Sequence, residues 1–150
     1  MDATKEDTLS FAKSWAKVGG KSIVILRGDP PKAAESFMPH PKGFKYSCDM
    51  SKALSKVWRF NIRVASYPHK HPKAESLEKD VEWLKRKIEA GASEVITQFF
   101  FKAEDFFRFR DHCEKSGIYV PMTPGMLPIE NWASTKAFAQ RCGAKVPGWI

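Results

Sequence analysis

Four times along this chain a short apolar, β-branched run is followed by a turn and then by a segment of helical period. No other feature limits the possible folds as strongly. The runs are residues 22–26 (Ser-Ile-Val-Ile-Leu), 60–65 (Phe-Asn-Ile-Arg-Val-Ala), 95–101 (Val-Ile-Thr-Gln-Phe-Phe-Phe) and 118–123 (Ile-Tyr-Val-Pro-Met-Thr). The first run is continuous, not alternating, which predicts a strand buried on both faces, as in a parallel sheet. Between the runs, residues 49–59 read as a helix with Met50, Leu54 and Val57 on one side. The clearest helix carries Leu77, Val81, Leu84 and Ile88 as one stripe and is stopped by Gly91. Helices are also expected from Ala103 to Lys115, ending at Gly117, and from Asn131 to Arg141, ending at Gly143. Residues 1–19 read as one more helix ahead of the first strand. Such alternation predicts an α/β fold of βα units with right-handed crossovers. It leaves two architectures open, a small doubly wound sheet and part of a (β/α)8 barrel. Both place ligands at the C-terminal ends of the strands.

The 150 residues suit one domain, 1–150, and 43% hydrophobic content supplies a real core. No stretch approaches the roughly 18 consecutive apolar residues of a membrane span, so no membrane partner is expected. The mixed-charge N-terminus is not a secretory signal. Cys48, Cys113 and Cys142 are far apart, with no CxxC pair and no zinc spacing. Three reduced thiols in a cytoplasmic protein are the simplest reading. A net charge of +8 raises nucleic acid as a partner. The basic residues, however, are interleaved with acidic ones and never form a run of five, so no nucleic-acid partner is expected. A basic surface also suits a polyanionic cofactor or a polyglutamylated substrate.

The residues with chemistry cluster at the run ends. Arg27-Gly28-Asp29-Pro30 closes the first. A carboxylate there faces a ligand, and Gly28 permits close backbone approach. Taken alone, the segment reads more simply as a plain βα turn with an Arg–Asp ion pair. Tyr67-Pro68-His69-Lys70-His71-Pro72 closes the second. Two histidines at i and i+2 with no acidic or thiol partner make poor metal spacing, so no metal is expected. Tyr67 and His71 at a strand end suit a ring or a phosphate; the plain alternative is a loop stiffened by prolines. Asp80, Arg86 and Lys87 lie on the next helix, where the two cations suit a pyrophosphate and also suit a solvated face. Gln98 interrupts an apolar strand, so its amide must find partners, either a heterocycle edge or neighbouring backbone. Phe106, Phe107 and Phe109 read as packing residues, and Phe138 as core unless the fold sets it over a cleft. There is no GxGxxG, P-loop, nucleophile elbow or catalytic Cys-His signature.

Taken in order, these segments resemble the methylenetetrahydrofolate reductase family from about Lys21 to Ile150. The resemblance includes Leu84-Lys85-Arg86-Lys87 with Gly91-Ala92, Ile96-Thr97-Gln98-Phe99-Phe100-Phe101, Phe107-Arg108-Phe109-Arg110-Asp111 and Pro124-Gly125-Met126-Leu127-Pro128-Ile129. It implies a TIM (β/α)8 barrel flavoprotein, with these four βα units as strands four to seven. It further implies FAD as cofactor, NADH or NADPH as reductant, and reduction of methylenetetrahydrofolate to methyltetrahydrofolate. By the same resemblance Asp29 is the catalytic residue beside the flavin and pterin. Arg27, Gly28, Tyr46, Tyr67 and His71 line the FAD site, and Asp80, Arg86 and Lys87 hold its ribose, adenine and phosphate end. Gln98 bonds the pterin edge and, in turn, the nicotinamide, and Phe138 packs on whichever substrate is bound. Two positions depart from the family: His69 stands where it usually has Glu, and Trp83 where it usually has a polar residue. The family's general acid belongs to a strand that precedes these four. The chain is therefore expected to act as a fragment or half of a split enzyme, completed by a homo-oligomer or a complementing half-barrel chain. The alternatives are an inactive flavin- or nucleotide-binding module and a flavodoxin-like phosphate binder.

Overall fold

Helix and strand alternate along the whole chain in a computed structural model that describes residues 3–26, 28 and 38–149. The order is α1 (Lys5–Lys17), β1 (Ser22–Ile25), α2 (Ser47–Leu54), β2 (Asn61–Ser66), α3 (Leu77–Glu89), β3 (Glu94–Phe99), α4 (Ala103–Lys115), β4 (Met122–Gly125) and α5 (Trp132–Cys142). The four strands form a parallel sheet in the order β1-β2-β3-β4. Sequential parallel neighbours joined by helices are the βα units that the sequence pattern requires.

Two compact units divide the residues. The first comprises Met1–Val64 with Arg86–Ser93. Here α1 opens on a reciprocal cap: Thr4 Oγ1 accepts from the Asp7 N–H at 3.0 Å, and Asp7 Oδ2 accepts from the Thr4 N–H at 2.9 Å. β1 pairs with β2, with Ile23 opposite Ile62 and Ile25 opposite Val64. The core side of this pair is Ile25, Ile62 and Val64, all 2% exposed or less. The expectation of a strand buried on both faces fails at β1, where Val24 is 48% exposed and Leu26 60%. The alternation is plain in β2 as well, where Ile62, Val64 and Ser66 are buried and Asn61, Arg63 and Ala65 half-buried. Burial thus falls on alternate residues in β2, and in β1 it is complete only at Ile25. α2 is shorter than its apolar spacing predicts. Its end tightens at Leu54, whose carbonyl accepts from the Val57 N–H at 3.0 Å, so Val57 lies in a turn.

The second unit comprises Ala65–Lys85 with Glu94–Ile150. The α3 stripe is buried at Val81 (3%) and Leu84 (2%). In α4 the buried line is Asp105, Phe109 and Cys113. β4 starts later than the apolar run at residue 118, and the reason is the end of α4. The Ile118 N–H donates to the Cys113 carbonyl at 2.9 Å, and both side chains are buried. Ile118 thus closes the hydrophobic contact of a helix-ending motif after Gly117 and does not enter the sheet. β4 pairs with β3 from Val95–Met122 to Phe99–Gly125, with a register shift between. Phe99, Ala139 and Ala144 then form a core cluster with Phe101, Leu127, Cys142 and Val146 against them.

Candidate functional site

Of the site residues read from the sequence, Gly28, Tyr46, Arg86 and Lys87 belong to the first unit. Arg27 and Asp29 lie outside the described residues. Gly28 sits just past the C-terminal end of β1 with φ of +78°, a left-handed conformation that side-chain-bearing residues avoid. Tyr46 occupies the N-cap position of α2 without a side-chain cap bond. Its ring is 46% exposed, and Lys45 Nζ lies 5.3 Å from its centroid. Arg86 and Lys87 form the last turn of α3, where cations complement the carbonyl end of the helix.

The second unit brings the others into closer relation. β2 delivers the chain to the loop of residues 67–72, and α3 begins shortly after it. Asp80, in the first turn of α3, reaches back so that its Oδ2 accepts from the His71 N–H at 2.8 Å. The ring of His71 meets that of Tyr67 edge-on, with centroids 4.7 Å apart and planes at 85°. His71 Nδ1 accepts from the Lys73 N–H at 3.0 Å, which fixes the ring's orientation. Asp80 therefore anchors the loop through its backbone, a role that the sequence, reading it as a contact to a ligand, did not suggest.

Gln98 lies on β3 and is half-buried, not enclosed as its apolar neighbours suggest. Its Oε1 accepts from the Phe99 N–H at 3.1 Å. The enclosed polar residue of β3 is Thr97, 4% exposed, whose Oγ1 accepts from the Gly125 N–H at 3.0 Å. Thr97 is a strand-pairing residue, and Gln98 shares the opposite face of the strand with Ile96. Phe138, on α5, is 38% exposed rather than core, stacks on Phe99 at 5.6 Å and 17°, and has the Arg141 guanidinium 5.5 Å from its ring.

Tyr67, His69 and Lys70 close against Gln98, Phe99 and Gly143, leaving no room between them for even a water molecule. The loop after β2, the end of β3 and the segment after α5 thus converge at the C-terminal ends of two parallel strands. That is where open α/β sheets bind ligands. An aromatic edge pair, a half-buried amide and a stacked phenylalanine suit a planar heterocycle with polar edges. No group of three or more His, Cys, Asp and Glu side chains among the described residues could hold a metal ion. Among the described residues no helix is long and apolar enough to cross a membrane.

Sequence reasoning missed His69 as anything but a rejected metal ligand. Its Nε2 lies 2.8 Å from Asp105 Oδ2, and both side chains are largely buried. Asp105 also pairs with Arg108. Burial alone raises the Asp105 carboxyl, but the bonds and charges of His69 and Arg108 outweigh it and hold the group below the usual carboxylate range. The pairing of residues so far apart in sequence left no local signal to read.

Known proteins show the same arrangement of segments. The family profile described as methylenetetrahydrofolate reductase matches residues 1–150. The 5,10-methylenetetrahydrofolate reductases of Salmonella typhimurium and Escherichia coli are each 40% identical over 151 residues, covering 100% of this chain and 49% of theirs. That of Buchnera aphidicola subsp. Acyrthosiphon pisum is 39% identical, with 49% of its length covered. The chain therefore spans about half the length of the curated relatives it matches. A solved Clostridium thermocellum protein, described as binding two copies of 5-methyl-5,6,7,8-tetrahydrofolic acid, shares the fold with a TM-score of 0.60 at 16% identity. The likeness covers 98% of this chain and 47% of that one. With the profile spanning residues 1–150, the chain belongs to the methylenetetrahydrofolate reductase family.

Proposed function

We propose that this chain builds the cofactor and substrate wall of a flavin-dependent reductase that converts 5,10-methylenetetrahydrofolate to 5-methyltetrahydrofolate in the cytoplasm. Its four βα units correspond to strands four to seven of a (β/α)8 barrel, within one domain over 1–150. The observation that carries the reading is the Tyr67–His71 edge pair, fixed by Asp80 at a parallel strand end. The folate ligand described for the Clostridium thermocellum protein and the names of the curated relatives support a folate substrate.

The residues present fit FAD. Tyr67 and His71 offer ring edges to a planar cofactor, and Arg86 and Lys87 offer cations to its phosphate end. Gly28 supplies a left-handed backbone position past the end of β1, and Tyr46 adds a further ring. When bound, the flavin supplies hydride transfer between NADH or NADPH and the folate. The chain's own residues then bind and orient. Gln98, with an amide that both donates and accepts, holds the pterin edge and alternately the nicotinamide. Phe138 packs over whichever substrate is present. Asp29 acts electrostatically on the flavin and on cationic character in the folate, as preorganised charge.

The reading is tested with flavin-loaded protein under anaerobic conditions. NADH should bleach the flavin, and methylenetetrahydrofolate should restore its colour. Gln98→Ala should slow both half-reactions by about a hundredfold, the scale of one lost positioned hydrogen-bonding group, while flavin stays bound. Equal half-reaction rates in the variant would remove Gln98 from the substrate site.

A further inference from the structure

The loop after β2 holds one strained residue. Lys70 has φ of +97°, a left-handed conformation that a side-chain-bearing residue adopts only when its surroundings enforce it. The enforcing contacts lie on both sides. After it, the His71 N–H is bound to Asp80 at 2.8 Å. Before it, the His69 side chain, only 4% exposed, reaches to the first turn of α4 and the segment after α5. Its Nε2 lies 2.8 Å from Asp105 Oδ2, and its Nδ1 accepts from the Lys145 N–H at 3.4 Å. The first is a close charge-pair contact, and the second uses a ring lone pair. Asp105 is held in place by Arg108 on the same helix. A single buried ring therefore ties the loop to two elements distant in sequence.

We infer that His69 is a positioning residue, which sets the Tyr67–His71 edge pair for its ligand by bridging Asp105 and the Lys145 backbone. The inference rests on the reading that Tyr67 and His71 receive FAD. Only 4% exposed and turned to Asp105, His69 acts through the loop. Removing the ring takes away both ties before Lys70, so the strained turn relaxes and the edge pair loses its fixed geometry. A glutamine at position 69 retains one donor and one acceptor and should keep much of the bridge. The charged groups around the ring are Asp105 and Arg108 from α4, Lys145 from the segment after α5, and Lys70 and His71 in the loop itself.

FAD affinity, read by flavin fluorescence, is compared for the wild-type chain, His69→Ala, His69→Gln and Asp105→Ala. Hydrogen exchange of the His71 amide is measured on each in the absence of ligand. His69→Ala and Asp105→Ala should each weaken FAD about tenfold or more, and the double variant should cost little beyond the stronger single one, because both remove one bridge. His69→Gln should bind within about threefold of wild type. Amide exchange at His71 should rise in both alanine variants and return toward wild type in His69→Gln. Should His69→Ala fail to fold, Asp105→Ala against His69→Gln carries the same comparison. Unchanged exchange and unchanged affinity in the alanine variants would overturn the inference. Faster exchange in a chain that takes no FAD would retain the clamp and sink the flavin reading instead.

Discussion

At the scale of single residues, burial and partners decide what each group does. Cys113 is fully buried, and burial, with Asp80 and Glu114 adding negative charge, pushes its thiol up to about 12. It should stay inert to a thiol-specific alkylating reagent near neutral pH in the folded chain and react only with unfolding; mass spectrometry with and without denaturant checks this. Rapid labelling of Cys113 in the native protein would contradict the burial described. Asp105 makes the opposite case. Although burial pushes it up, the bonds and charges of His69 and Arg108 hold its carboxyl below the usual carboxylate range. The stability it contributes is therefore present above the unfolded value and is lost as pH falls through the lower, folded one. Asp105→Asn should lower stability at neutral pH and flatten the acid limb of urea midpoints measured from about pH 5 downward. At this scale Tyr67, His71, Asp80 and Gln98 were named from motif order, and the fold places all four in the second unit. Their contacts were not legible. Asp80 grips a backbone N–H and His69 a carboxylate on a helix distant in sequence, and neither follows from local spacing.

At the scale of elements, the helices were easier to read than the strands. α4 spans Ala103–Lys115 as its acidic start and glycine stop predict. The α3 stripe was correct because a 3.6-residue period repeats over several turns, and Gly91 ends it with its N–H bound to the Ile88 carbonyl at 2.9 Å. Strand ends misled because an apolar residue serves a cap as well as a sheet, as Ile118 does at the end of α4. The opposite faces of β1 misled because a continuous apolar run does not say what covers it. Capping here carries measurable stability. The Asn131 side chain accepts from the Ser134 N–H at 3.0 Å at the start of α5, and Asn131→Ala should destabilise the chain by about 1 kcal/mol in urea unfolding. Phe109, 2% exposed on α4, should cost about 3–5 kcal/mol as Phe109→Ala, through lost transfer energy and the cavity left behind.

At the scale of the molecule, βα order and the ends of the strands bring the chemistry together. The alternation alone left a doubly wound sheet and a barrel segment open, and the strands form one parallel sheet in the order β1-β2-β3-β4. The family followed from motifs in sequence, and the full-length match agrees with it. The reductase activity belongs to relatives about twice the length of this chain, and for this chain it is a proposal that turns on whether its wall holds flavin. The direct measurement is a titration of the purified chain with FAD, followed by visible absorbance and fluorescence, beside His71→Ala. Saturable one-to-one binding with a shifted flavin spectrum, weakened about tenfold or more in the variant, is the expected result. No saturable change, or equal binding by His71→Ala, would contradict the account.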